Sequence, residues 1–259
     1  MIVEIVGSTG AGKSTVARRL LELLNARGHR AFLLADGWRW SSDEAARRYH
    51  GLSLSWLRWP LAVSVVMDVL ACPWFLRFLW QHPGLSLLMA TSVCRDTGSP
   101  GLMLNALRNV AKHLGTRELL GRRAGTEGLI VILDEGAVHQ AHNLFVHPET
   151  EAKWCEVQRF MAEIPLPDLL VLVEAPTSSV VQRTIRRRHV RIRGQKSARA
   201  LSFVTHAQEV FRIVCELASL RTDTAVVRNF GDAQSLDIAL EAILSRIDLV
   251  CQGKQAAVA

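Results

Sequence analysis

Paired cysteines are missing from this chain of 259 residues. Its five cysteines (Cys72, Cys94, Cys155, Cys215 and Cys251) are widely spaced, odd in number and form no CxxC pair. That argues against a disulfide framework and against a zinc ribbon, and it fits a reducing compartment. Lysine is scarce as well. Lys13, Lys112, Lys153, Lys196 and Lys254 are five of 31 basic residues, so arginine carries the net charge of +7. A GC-rich coding bias accounts for such a skew, and so does bidentate phosphate binding, which favours the guanidinium. The charge excess points to an anionic partner, whether nucleotide, nucleic acid or acidic membrane surface. No basic, apolar leader precedes Ile2, from which a cytoplasmic protein is expected. Repeats, linkers and low-complexity tracts are absent, and 49% hydrophobic with 21% charged residues is a globular composition. One domain over residues 1–259 is the expectation.

The first 36 residues read as a βαβ unit. Ile2–Val6 is a short apolar strand, Gly7–Gly12 a glycine-rich turn, and Lys13–Ala26 a helix with Val16, Leu20, Leu23 and Leu24 on one face and Gly28 just past its end. Ala31–Ala35 is a second strand ending at Asp36-Gly37. Further apolar runs at Leu129–Leu133, Leu169–Val173 and Ala225–Val227 alternate with helical periodicity. The pattern predicts an α/β fold: a doubly wound parallel sheet of about five strands with helices on both faces. An apolar helical insert is expected over about 52–115. Its core, Trp56–Leu88, holds four of the seven tryptophans, and Leu61–Leu79 carries only Asp68 and Arg77 as charges. Three readings stay open for it: a buried helical hairpin broken at Pro73, a peripheral membrane-surface segment through 56–88, or a span. Asp68 near the middle and Pro73 count against the span.

Gly7-Ser8-Thr9-Gly10-Ala11-Gly12-Lys13-Ser14, followed by Thr15, fits GxxxxGK[ST] in full. Glycines let backbone N–H groups close on phosphate oxygens, and the helix N-terminus adds its positive dipole. Lys13 would reach the outer phosphates and the Ser14 hydroxyl would ligate Mg²⁺. These residues resemble the Walker A motif of P-loop NTPases. The resemblance implies Mg-ATP or Mg-GTP on a doubly wound sheet, and the lack of an NKxD guanine signature leans towards ATP.

Leu129–Leu133 ends in Asp134-Glu135-Gly136. A carboxylate there is where the superfamily holds Mg²⁺, a role assigned to Asp134. Glu135 would polarise an attacking water or face a substrate. His139, His142 and His147 have loose spacing for zinc, and Gln140 or Asn143 would hydrogen-bond a substrate or simply present surface polarity. Asp36 at the end of the second strand, which is taken to adjoin the phosphate strand, would serve as acceptor-side base or else cap a turn. Arg39 would hold an anionic acceptor. The run Arg183, Arg186, Arg187, Arg188, Arg191 and Arg193, closed by Gly194, reads as a lid, with Arg187 and Arg191 as its charges over the nucleotide, or as a solvated basic face. Little aromatic interleaving argues against specific nucleic-acid binding.

In layout the chain resembles the nucleoside and nucleotide kinase branch of that superfamily, thymidylate kinases in particular. The resemblance rests on the glycine loop, on Glu174-Ala175-Pro176 followed by the arginine helix and lid at 183–194, and on Val226–Leu236. It covers residues 1–36 and 129–248, and it implies that Arg228–Asp232 lies near the adenine. The branch commonly carries Asp-Arg or Glu-Arg where this chain has Asp134-Glu135, which argues against a nucleoside monophosphate acceptor. The expected activity is therefore ATP- and Mg²⁺-dependent phosphoryl transfer to a nucleoside, nucleotide or sugar-type acceptor. The alternative is an NTPase whose hydrolysis switches a partner or a membrane-associated assembly.

Overall fold

A computed structural model describes residues 1–34, 72–96, 100–147, 153–187 and 197–256. Five strands form one all-parallel sheet: β1 (Ile2–Val6), β2 (Ala31–Leu33), β3 (Ile130–Leu133), β4 (Leu169–Glu174) and β5 (Asp223–Arg228). Their order is β2-β3-β1-β4-β5. Burial explains that order. β1 and β3 are buried at every position and β4 at all but its last, so they read as continuous apolar runs and take the centre. β2 and β5 are only partly buried and lie at the edges.

This corrects one expectation. β2 does not adjoin the phosphate strand, because β3 pairs on one side with β1 (Ile2 opposite Val131) and on the other with β2 (Ala31 opposite Ile130). β2 is only partly buried, which fits an edge strand, whereas β3, buried at every position, takes the place beside β1.

The helices that join the sheet among the described residues include α1 (Lys13–Ala26), α2 (Pro83–Asp96), α3 (Pro100–Glu127), α4 (Gln140–Phe145), α5 (Trp154–Glu163), α6 (Thr177–Arg186), α7 (Ser197–Ser219) and α8 (Ala233–Ala256). Strand alternation sorts them into two layers. Val3, Ile5, Leu169, Val171 and Val173 pack with Leu20 and Leu24 of α1 and Leu240, Ile243 and Leu244 of α8. Leu170 and Leu172 point the other way, onto Phe203, Val210 and Phe211 of α7 and the core that it shares with α2, α4 and α5. Each such fully buried side chain stabilises the fold by about 1.5–3 kcal/mol. Asp232 caps α8, accepting from the N–H groups of Gln234 and Ser235 at 3.2 and 2.9 Å.

Of the expected insert, residues 52–71 lie outside the described residues. Residues 72–81, α2 and α3 are helical, as expected. The stretch before Cys72, on which the break expected at Pro73 turns, lies outside the described residues; after it the helical path is interrupted at His82. Among the described residues no helix is long and apolar enough to cross a membrane.

Candidate phosphate and metal site

The carboxyl end of β1 runs directly into the glycine loop, and α1 starts at Lys13. Gly10 and Gly12 adopt positive φ, 91° and 102°. Gly12 has no alternative, because a Cβ there would also strike the Asn229 side chain. The loop's carbonyls are all engaged by the protein. Lys13 Nζ donates to Gly7 O at 3.0 Å and to Ser8 O at 3.4 Å. Thr184 Oγ1 donates to Thr9 O at 2.9 Å, Arg183 Nη1 to Gly10 O at 3.2 Å, and Asn229 Nδ2 to Ala11 O at 2.9 Å. By contrast the N–H groups of Gly10, Gly12, Lys13 and Ser14 have no partner among the described residues. Unpaired donors on a glycine loop at a helix N-terminus are the donor set that a phosphate chain requires.

Lys13 is buried, only 9% exposed. Burial pushes its pKa below the ordinary lysine value, Glu135 and Asp134 pull it back up, and Arg187 adds to the depression. Arg187, the residue after α6, stands within electrostatic reach of Lys13. Arg191, its expected companion, lies outside the described residues, as do Asp36 and Arg39.

Ser14 and Asp134 come together across 120 residues: Ser14 Oγ donates to Asp134 Oδ2 at 3.4 Å. An exposed hydroxyl and a half-buried carboxylate, at the mouth of a loop with unpaired N–H groups, fit a Mg²⁺ ion in its oxygen-ligand chemistry. Glu135 beside them is half exposed. Desolvation raises its carboxyl pKa, Lys13 lowers it, and Asp134 and Lys112 raise and lower it further. Thr15 is exposed on the first turn of α1.

Gln140, expected to meet an acceptor, is instead fully buried. Its Nε2 donates to Gly136 O at 3.1 Å and its Oε1 accepts from Asn143 Nδ2 at 3.0 Å, so its amide holds the turn after β3. His139 and His142 pack as rings with each other and with Phe211, at centroid separations of 5.3–5.9 Å.

Three features of the site went unforeseen. Glu4, in the middle of β1, is fully buried. Its Oε1 accepts from the His139 N–H at 2.8 Å, and a Cβ at Gly136 would collide with its carboxyl group, so the glycine after Asp134-Glu135 makes room for it. Burial drives the Glu4 pKa up to about 7 against the pull of the backbone N–H groups and Arg117. An acid inside an otherwise apolar pentapeptide was the available signal. Second, α3 brings His113 to the Glu135 backbone, and burial pushes the imidazole down to about 4. Third, a cavity of about 230 Å³ adjoins the loop at Ser8, lined also by Glu174, Gln208, Arg212, Arg228 and Phe230.

No family model and no curated protein matches this sequence. Solved structures that align with it include the TT1252 protein of Thermus thermophilus, at 20% identity over 95% of this chain and 97% of that one, with a TM-score of 0.40. A deoxyadenosine kinase from M. mycoides, with the products dCMP and a flexible dCDP bound, aligns at 13% identity over 96% and 99%, with a TM-score of 0.46.

Proposed function

We propose that this chain is a P-loop phosphotransferase that uses ATP and Mg²⁺ and acts on a small-molecule acceptor. One observation carries the reading: Ser14 Oγ and Asp134 Oδ2, 3.4 Å apart, stand at the mouth of a loop whose N–H groups are unpaired while its carbonyls are engaged. Ser14 and Asp134 would hold Mg²⁺, which would supply charge neutralisation of the phosphates. The chain's own groups do the rest. The N–H groups of Gly10, Gly12, Lys13 and Ser14 bind and orient phosphate oxygens. Lys13, steered by the Gly7 and Ser8 carbonyls, supplies a positive charge at the loop, and Arg187 a second.

The cavity of about 230 Å³ at Ser8, with Arg228 and Phe230 in its wall, is where the kinase resemblance sets the nucleotide base, and this proposal places it there. Arg212 and Arg228 in its wall suit an anionic group, and Glu174 suits hydroxyls. The single domain over residues 1–259, with its helical insert about 52–115 and its arginine-rich lid about 183–194, is part of this proposal.

The purified protein is given ATP, Mg²⁺ and pools of nucleosides, nucleoside monophosphates and sugars. ADP release that depends on an acceptor is the expected result. Release that ignores every pool and disappears in Glu135→Gln would replace transfer by hydrolysis, with Glu135 polarising water.

A further inference from the structure

Glu4 occupies a place where the packing asks for an apolar side chain. Along β1, Val3 and Ile5 pack towards α1 and α8, so Ile2, Glu4 and Val6 belong to the opposite face. On that face Ile2 packs with Leu120, Val131 and Leu133, and Val6 joins the core that contains Phe203 and Phe211 of α7. Glu4 lies between these two apolar groups and is fully buried. A carboxyl group there costs stability that a leucine would not. Packing alone does not account for the acid.

The pairing of β1 with β3 does. Its register sets Ile2 opposite Val131, Val3 opposite Ile132 and Glu4 opposite Leu133, which is the last pair. Past it, among the described residues, β1 pairs with β4 alone and runs on through Val6 into the glycine loop. β3 meanwhile turns off into Asp134, Glu135 and Gly136. The backbone ladder between the two strands thus stops just short of both halves of the site. The Glu4 carboxyl group continues the connection where the ladder ends. Its Oε1 accepts from the His139 N–H at 2.8 Å, and the N–H groups of Val138 and Ala137 also bond to the carboxyl group. Gly136 lies so close that a Cβ there would collide with it. Gln140 Nε2, donating to Gly136 O at 3.1 Å, closes the same turn from its far end. Arg117 of α3 faces the carboxyl group with the opposite charge.

We propose that Glu4 is a positioning residue for the metal site: by gripping the turn 136–139 it fixes Asp134 against Ser14, and so it sets the affinity for Mg²⁺ without itself touching the ion. The inference rests on the phosphotransferase reading, in which Ser14 and Asp134 hold that ion. The loop N–H groups and Lys13 lie outside the grip, so the hold on phosphate is separate from the hold on metal.

The full chain is titrated with ATP by calorimetry, once with Mg²⁺ and once with EDTA, and its fold is followed by far-ultraviolet dichroism. Glu4→Gln keeps the size of the side chain but sets an NH₂ among N–H groups, donor against donor. Glu4→Leu suits the apolar surroundings and removes both acceptor oxygens, so one of the two serves if the other does not fold. In the parent, Mg²⁺ tightens ATP binding. Each variant should reduce that tightening about tenfold, with metal-free ATP binding as in the parent. Glu4→Gln added to Asp134→Asn should cost nothing further, because both changes act through one carboxylate. Tightening equal to the parent's in a folded variant overturns the proposal. So does an equal loss of metal-free and Mg²⁺-dependent binding, or an additive double variant, since Glu4 then serves the fold alone. A parent that binds ATP no tighter with Mg²⁺ strikes the phosphotransferase reading itself, and this proposal falls with it.

Discussion

Glu4 and Gly136 tie the central strand to the turn that carries the site's two acids. The Glu4 carboxyl receives backbone N–H groups of the turn after β3, and Gly136 exists in that turn because nothing larger fits beside it. Burial raises the Glu4 pKa from 4.5 to about 7. The folded state thus holds a proton that the unfolded chain has released between those values, so this group's contribution to unfolding free energy falls as pH rises from 4.5 to 7 and is level outside that window. The drop is on the order of 3 kcal/mol. Denaturant titrations of the parent and of Glu4→Gln across pH 4–8 read the difference directly: the variant should lose that slope. Equal slopes in the two proteins would mean that Glu4 does not hold its proton in the fold.

At the scale of elements, the phosphate loop is clamped by parts of the chain far from it in sequence. α6 reaches it through Arg183 and Thr184, and the segment after β5 through Asn229. α7 in turn fixes the start of α6, because Gln208 accepts from Thr177 Oγ1 at 2.8 Å and donates to Ala175 O at 3.0 Å. Removing the Asn229 amide leaves the Ala11 carbonyl without its donor at 2.9 Å, a loss of about 1–3 kcal/mol. Asn229→Ala should therefore weaken Mg-ATP binding roughly tenfold or more by calorimetry, with far-ultraviolet dichroism unchanged; affinity equal to the parent's would show that the loop holds its shape without the clamp. Such clamps were illegible in the sequence. The glycine loop, α1 and the apolar strands were legible because periodicity and glycine placement are local signals, and β1 and α1 begin and end where expected. The positions of Gln140 and β2 were not, since burial and strand order are decided by which surfaces meet, and no local pattern in Gln140 or Ala31–Leu33 records that.

For the molecule as a whole, the sheet order brings the ends of β1, β3 and β4 to one edge, so that Ser14 and Asp134 meet although 120 residues separate them. The motif pair was visible in the sequence because Ser14 completes the glycine-loop pattern and Asp134 follows an apolar strand; their closeness came only from the parallel pairing of β1 with β3. A ligand that binds this folded arrangement alone stabilises it by about 2.7 kcal/mol at a hundredfold excess over Kd, several degrees in Tm. Mg-ATP should raise the melting temperature of the parent by that amount. Lys13→Ala should abolish the rise, and Asp134→Asn should leave a rise that no longer depends on Mg²⁺. A metal-dependent shift retained in Asp134→Asn would remove Asp134 from the metal site.

The central place of β1 also has a consequence during synthesis. The ribosome makes Ile2–Val6 and the glycine loop well before the two strands that flank them, Ile130–Leu133 and Leu169–Glu174. At cellular elongation rates that interval is roughly ten to thirty seconds. Throughout it the nascent chain carries an apolar strand with both edges open, a template for unwanted strand pairing until β3 and β4 arrive.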